Sequence, residues 1–149
     1  MIRKATILDL DQVTHLFDQY VVFYKKPSNY EKHKTYLKER ITNNEATIFL
    51  AFDDSNLDIA IGFTLLYVTF SSLALNKIVI LNDLFVDTKI RKSGIGEKLI
   101  LETVAFAKEL GSNLIRLRTA KNNIIAQGLY HKMGFVRDEV LYSYDLTVK

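Results

Sequence analysis

The apolar run that ends at Val86 gives way, a few residues on, to Arg91-Lys92-Ser93-Gly94-Ile95-Gly96 and then to an amphipathic segment opening at Glu97. A strand, a glycine turn and a helix start in that order commit the chain to a layered α/β arrangement. A strand that feeds a helix packs back onto its own sheet as a right-handed crossover, and the next strand signal, Leu114 to Thr119, supplies the parallel neighbour. The turn then falls at the carboxyl end of a strand, where α/β sheets bind ligands. A helix N-terminus leaves several backbone N–H groups unpaired and carries partial positive charge, so it attracts anions. Gly94 and Gly96 have no Cβ to block an approaching oxygen, and Arg91 and Lys92 add mobile positive charge. Phosphate or pyrophosphate suits such a turn. Two familiar glycine motifs fail: a dinucleotide fingerprint needs a small residue where Leu99 stands, and a P-loop needs Lys-Ser or Lys-Thr where Gly96 is followed by Glu97. Taken alone, the hexapeptide reads equally well as a structural loop.

Periodicity organises the rest. Ile2 to Thr6 reads as a first strand, followed by a helix with Asp9 as N-cap and Gln12 three residues later. Val13, Leu16, Phe17, Tyr20, Val21 and Tyr24 follow helical spacing, so most of these aromatics read as core, and the helix stops before Pro27. A second helix runs from Tyr30 to about Ile41. Strands follow at Ala46 to Phe52, Ile59 to Val68 and Lys77 to Val86, broken by Asp53-Asp54-Ser55-Asn56 and Phe70-Ser71-Ser72. Gly94 to Leu110 is a helix closed by Gly111, Asn123 to Met133 is another, and Phe135 onward reads as final strands through Tyr142 and Leu146. With 149 residues, no repeat and no abrupt change in composition, residues 1–149 are expected to form a single domain around one core.

Composition removes several chemistries. The chain has no cysteine, which excludes disulfides, a thiolate nucleophile and a zinc–thiolate site, and gives no redox reason to leave the cytoplasm. His15, His33 and His131 stand nowhere near one helical turn from one another, so no metal is expected. The N-terminus has no long apolar core like that of a signal peptide, and no apolar run approaches the ~20 residues of a spanning helix, so no membrane role is expected. A net charge of +3 from dispersed lysines is ordinary for solubility, and despite Tyr24-Lys25-Lys26 no concentrated basic face points to nucleic acid.

Asn82 and Asp83 interrupt an otherwise apolar strand. Burying such groups is costly unless hydrogen bonds or function compensate. Asp83 is therefore a candidate base, and equally a brace for the neighbouring loop through backbone hydrogen bonds.

Downstream stands Asn123-Ile124-Ile125-Ala126-Gln127-Gly128-Leu129-Tyr130-His131-Lys132-Met133-Gly134-Phe135. Together the two constellations resemble the GNAT acetyltransferase superfamily. The first is similar to its Arg/Gln-x-x-Gly-x-Gly/Ala pyrophosphate loop, and the second to its Asn-x-x-Ala-x-x-Leu/Phe-Tyr-x-x-x-Gly-Phe segment. Ile2 to Thr6, Ile61-Gly62-Phe63 and Leu81-Asn82-Asp83-Leu84-Phe85-Val86 extend the likeness along the chain. The last of these, with Phe17 to Tyr20, Phe23-Tyr24 and Pro27-Ser28, resembles a branch related to yeast histone and polyamine acetyltransferases.

The resemblance implies an α/β fold: a mixed, mostly antiparallel sheet splayed at a central parallel strand pair and flanked by helices. It implies acetyl-CoA as co-substrate, with Leu84, Phe85 and Val86 pairing with the pantetheine arm, Arg91, Lys92, Ser93, Gly94, Ile95 and Gly96 on the pyrophosphate, and Asn123 and Tyr130 as further contacts. Tyr130 would meet the departing thiolate. A phenol with a reference pKa of ~10 facing a thiol of ~8.5 makes that proton transfer only modestly uphill. Many relatives place a glutamate or a water relay where this chain has Asn82-Asp83. Phe23, Tyr24 and Asn82 are the candidate acceptor contacts. Packing of the helix pair explains the two aromatics equally well, and helix capping explains Asn123 equally well. The expected activity is acetyl transfer to a primary amine of a small molecule or protein by direct attack. A catalytically weak acetyl-CoA-binding regulatory module is the alternative. Relatives often pair through sheet edges, so Val140 to Val148 is a candidate homodimer strand.

Overall fold

The computed structural model describes residues 1–90 and 93–149, which divide into two compact units, Met1–Arg118 and Thr119–Lys149. The first unit holds a five-stranded sheet in the order β1 (Ile2–Lys4), β2 (Thr47–Asp53), β3 (Asn56–Ser71), β4 (Asn76–Val86), β5 (Ile115–Arg116). All neighbours are antiparallel except β4 and β5, which are parallel. The crossover between those two strands is α3 (Ile95–Glu109), as the glycine turn required.

Before the sheet closes, the chain forms α1 (Leu10–Phe23) and α2 (Tyr30–Thr42). Asp9 holds the N-cap position of α1 as expected, but without a side-chain cap for that helix. A 3-10 turn, Ile7–Asp9, precedes it, and the capping box is Thr6 with Asp9. Arg3 donates to both Asp9 carboxylate oxygens at 2.8 Å, and that guanidinium holds the carboxyl below its usual range. Gln12 instead accepts from the Ala60 N–H at 2.7 Å, tying α1 to β3. The hinge to α2 is organised by Asp18, whose carboxylate accepts from Ser28 Oγ, from the Asn29 N–H at 3.0 Å and from His33 Nδ1 at 2.8 Å. Asn29 then caps α2 by accepting from the Lys32 N–H.

Strand alternation sends two sets of side chains to opposite faces of the sheet. Ile48, Leu50, Phe52, Phe63, Leu65 and Phe85 join Leu10, Val13 and Leu16 of α1 and Leu37 of α2 in one buried cluster. Each fully buried side chain of this kind contributes ~1.5–3 kcal/mol before entropy is charged. The other face meets α3 through Leu99, Ile100, Thr103 and Ala107, with Phe106 edge-on to Phe49 at 5.9 Å. Gly62 is what lets α3 come so close, since a Cβ there would sit 3.0 Å from the Phe85 carbonyl oxygen and 3.4 Å from Leu99.

In the second unit, α4 (Ile124–Lys132) is the one helix, and residues 135–149 form no strand. The alternation in that tail suggested strands, but Val140, Tyr142, Tyr144, Leu146 and Val148 are all exposed. Alternation specifies a strand only where a neighbour supplies the hydrogen bonds. Likewise β5 is shorter than Leu114 to Thr119. Among the described residues no helix is long and apolar enough to cross a membrane.

Candidate active site

On β4 the pairing with β3 slips: Leu66 faces Leu81 while the next residue, Leu65, faces Asp83. Asn82 is therefore an extra residue, a β-bulge, and it is exposed while Asp83 is buried on the α1/α2 face. The bulge answers why two polar residues sit in an apolar strand. It turns one outward and sets the other among aromatic rings with its hydrogen bonds supplied: Asn82 Nδ2 donates to Asp83 Oδ2 at 3.1 Å, and the Tyr20 hydroxyl donates from α1. Burial pushes the Asp83 carboxyl above its usual range, against the lowering effect of those two donors. A carboxylate so placed is a better proton acceptor near neutrality than a free one.

Rings lead from this acid to the surface. Tyr20 lies 4.9 Å from Tyr24 and 6.1 Å from Phe85, Phe23 lies 5.2 Å from Tyr24, and Phe23 and Phe85 are 6.2 Å apart. Phe23 and Tyr24 are nearly half exposed. The fold thus brings Phe23, Tyr24, Asn82, Asp83 and Phe85 together. Tyr20 is the member that helical periodicity assigned to the core. Its signal was the hydroxyl itself, because a tyrosine in a buried stripe needs a polar partner that phenylalanine does not.

At the other end of β4, the parallel ladder joins Val79 to Ile115 and Ile80 to Arg116, and there β5 ends. Leu84, Phe85 and Val86 lie beyond that last rung, paired with Thr64, Phe63 and Gly62 of β3. Asp87 then closes a turn, accepting from the Lys89 N–H on its carboxylate and from the Ile90 N–H on its carbonyl. Arg91 and Lys92 lie outside the described residues. Ser93 and Gly94 are exposed, Ile95 and Gly96 open α3, and Gly94 is the N-cap at φ 79°, with no side chain capping the helix. The left-handed φ explains the glycine, and the helix end is left open to an anion. These residues fit a diphosphate.

In the second unit, Asn123 accepts from the Ala126 N–H at 3.2 Å, so the capping role is real. Tyr130 stacks edge-on to Phe135 at 5.7 Å, and its carbonyl accepts from the Phe135 N–H. Among the described residues no group of His, Asp and Glu is gathered as a metal site would need.

The family model described as "Acetyltransferase (GNAT) family" matches residues 10–135. The chain belongs to the GNAT family. Uncharacterized N-acetyltransferase YhfO of Bacillus subtilis (strain 168) is 36% identical to this GNAT chain over 147 residues, 99% of the chain and 97% of the relative. D-amino-acid N-acetyltransferase HPA3 of Saccharomyces cerevisiae is 39% identical over 93 residues, 62% of this chain and 57% of the yeast protein. The crystal structure of a probable acetyltransferase superposes with a TM-score of 0.93 at 32% identity, covering 100% of this chain and 98% of that one. As a GNAT protein the chain is an acetyl-CoA-dependent acyltransferase.

Proposed function

We propose that residues 1–149 form a single N-acetyltransferase domain that moves acetyl from acetyl-CoA directly to a primary amine, with Asp83 as the proton acceptor. The observation that carries this reading is the buried Asp83, held by Tyr20 and Asn82 beside a ring cluster whose outer members, Phe23 and Tyr24, are exposed. The family match spans both compact units, which supports one domain.

Acetyl-CoA supplies an activated thioester. Gly94 and the first N–H groups of α3 hold its diphosphate, helped by Arg91, Lys92, Ser93, Ile95 and Gly96. The backbone of Leu84, Phe85 and Val86 holds the pantetheine arm in strand-like pairing. Fixing both reactants removes much of the entropic barrier. Asp83 takes the ammonium proton, directly or through water, and leaves a neutral amine to attack. A backbone N–H at the bulge supplies a hydrogen bond for the developing oxyanion. Tyr130 donates to the departing thiolate sulfur, and Asn123 adds a polar contact. The acceptor is a polyamine, an amino acid, another small amine or a protein amine, and the protein works in the cytoplasm.

The test measures free CoA released from acetyl-CoA by purified protein across polyamines, amino acids, aminoglycosides and lysine peptides. Acetylated product from one class is expected, with Tyr130→Phe lowering turnover more than cofactor affinity. Normal turnover in that variant removes the role given to Tyr130. Tight CoA binding with no amine-dependent turnover would replace the enzyme reading by the regulatory module.

A further inference from the structure

A second group of polar side chains stands on the same face of the sheet as Asp83, and the transfer chemistry above makes no use of it. Tyr36 and Arg40 lie one helical turn apart on α2 and share a face of that helix. The Arg40 guanidinium sits 4.6 Å over the Tyr36 ring, and Glu39 and Glu45 fix it there at 3.1 and 3.2 Å. The Tyr36 hydroxyl in turn lies 2.6 Å from that of Tyr67 on β3.

The direction of that bond follows from the cation. The cation over its face draws on the Tyr36 ring electrons and makes Tyr36 the better donor to Tyr67. Tyr67 accepts, and its O–H becomes the end of a chain polarised by Arg40. Tyr36 is the one hydrogen-bond partner of the Tyr67 hydroxyl among the described residues, so this terminal donor is not spent on Asp83. Burial and the Tyr36 hydroxyl push the Tyr67 phenol upward, so it stays a neutral donor.

Tyr67 is two residues along β3 from Leu65, which faces Asp83 across the ladder. By strand rise the two functional groups arise roughly 7 Å apart along the sheet. A molecule with an amine and a carboxylate on one carbon spans roughly 3 Å between nitrogen and oxygen, and a hydrogen bond at each end brings the span to roughly 8–9 Å. We propose that Tyr67, polarised through Tyr36 by Arg40, holds the carboxylate of an acceptor whose amine faces Asp83, making amino acids rather than polyamines the substrate class. This rests on the acetyl-transfer reading for the meaning of "acceptor". Tyr67 is thereby a specificity-determining residue.

The experiment compares amino acids of both hands with the amines left by their decarboxylation, lysine against cadaverine and leucine against isoamylamine. Binding to CoA-loaded protein is measured by calorimetry, alongside initial rates with acetyl-CoA. The amino acid of each pair binds about tenfold or more tightly, the scale of a hydrogen bond to a charged group. Tyr67→Phe, which keeps the ring, erases that preference and raises KM for the amino acid while kcat, CoA affinity and amine affinity hold. Tyr36→Phe and Arg40→Gln weaken the preference in part. Equal or tighter binding of the amines overturns the proposal. So does binding by neither member, or a Tyr67→Phe effect that is nil or equal on both. A carboxylate preference with no acetylated product leaves the proposal standing and removes the transferase reading instead.

Discussion

One sheet has two unlike faces. Beneath α1 and α2 it presents Phe63, Leu65, Tyr67, Asp83 and Phe85, and the helices answer with Phe17, Tyr20 and Tyr36, so aromatic rings and hydroxyls surround a buried carboxylate. Beneath α3 the contact is largely aliphatic: Leu99 closes over Gly62, with the buried Thr64 hydroxyl on the same face. The difference is one of labour. The aromatic face can hold a titrating group because its rings bring polar ends with them. The aliphatic face offers no such group, and its task is to seat a helix whose N-terminus is left open.

Four substitutions break or sharpen this contrast, beginning with the greatest effect. Asp83→Asn lowers kcat by about 10²–10⁴-fold, the range for a general base, with CoA affinity unchanged by calorimetry. Because burial raises this carboxyl's pKa, the wild-type rate falls as pH drops through a value above the ordinary carboxylate range. Stability runs the opposite way. The folded state binds that proton more tightly than the unfolded chain, so ionisation of Asp83 costs stability as pH rises, and Asp83→Asn gains in urea melts at pH 8 relative to pH 4. On the other face, Gly94→Glu weakens acetyl-CoA binding by about a hundredfold, combining a ~1–2 kcal/mol left-handed backbone penalty with a negative charge where an anion belongs. A Kd within threefold of wild type removes the loop from the cofactor site.

Tyr20→Phe keeps the ring packing and deletes a donor to Asp83. Its signature is a pH–rate profile whose acidic limb moves to higher pH, since the lost hydrogen bond had favoured the ionised form. An unmoved limb detaches Tyr20 from the acid. The smallest effect is expected at Thr64, whose fully buried hydroxyl has no hydrogen-bond partner among the described residues. Thr64→Val stabilises the protein by about 1 kcal/mol in denaturant melts and leaves kcat alone.

What the sequence made legible and what it hid divide along physical lines. The crossover at Gly94 was readable because a glycine turn between a strand and a helix has few other geometries, and α2 because Pro27 ends the helix before it. Asp83 announced itself by its cost in an apolar strand. Tyr20, Tyr36 and Tyr67 did not, because periodicity scores a phenol and a phenyl alike, and only the fold sets one hydroxyl against another. Asp9 was legible as the N-cap position of α1, but the capping box was not, because Asp9-x-x-Gln12 and Thr6-x-x-Asp9 are overlapping signals and the Asp9 carboxylate is engaged by Arg3, a residue outside both. The tail beyond Phe135 carries a strand's alternation without a strand's ladder.

The bulge at Asn82 has a consequence for how this gene can vary in length. Elsewhere in the β3–β4 ladder a lost residue would swap the faces of everything beyond it. Deletion of Asn82 instead makes the pairs Leu81–Leu66 and Asp83–Leu65 consecutive, so each flanking side chain keeps its side of the sheet. Codon 82 is thus a position where an in-frame deletion leaves the ladder in register and the strand stripped of its kink.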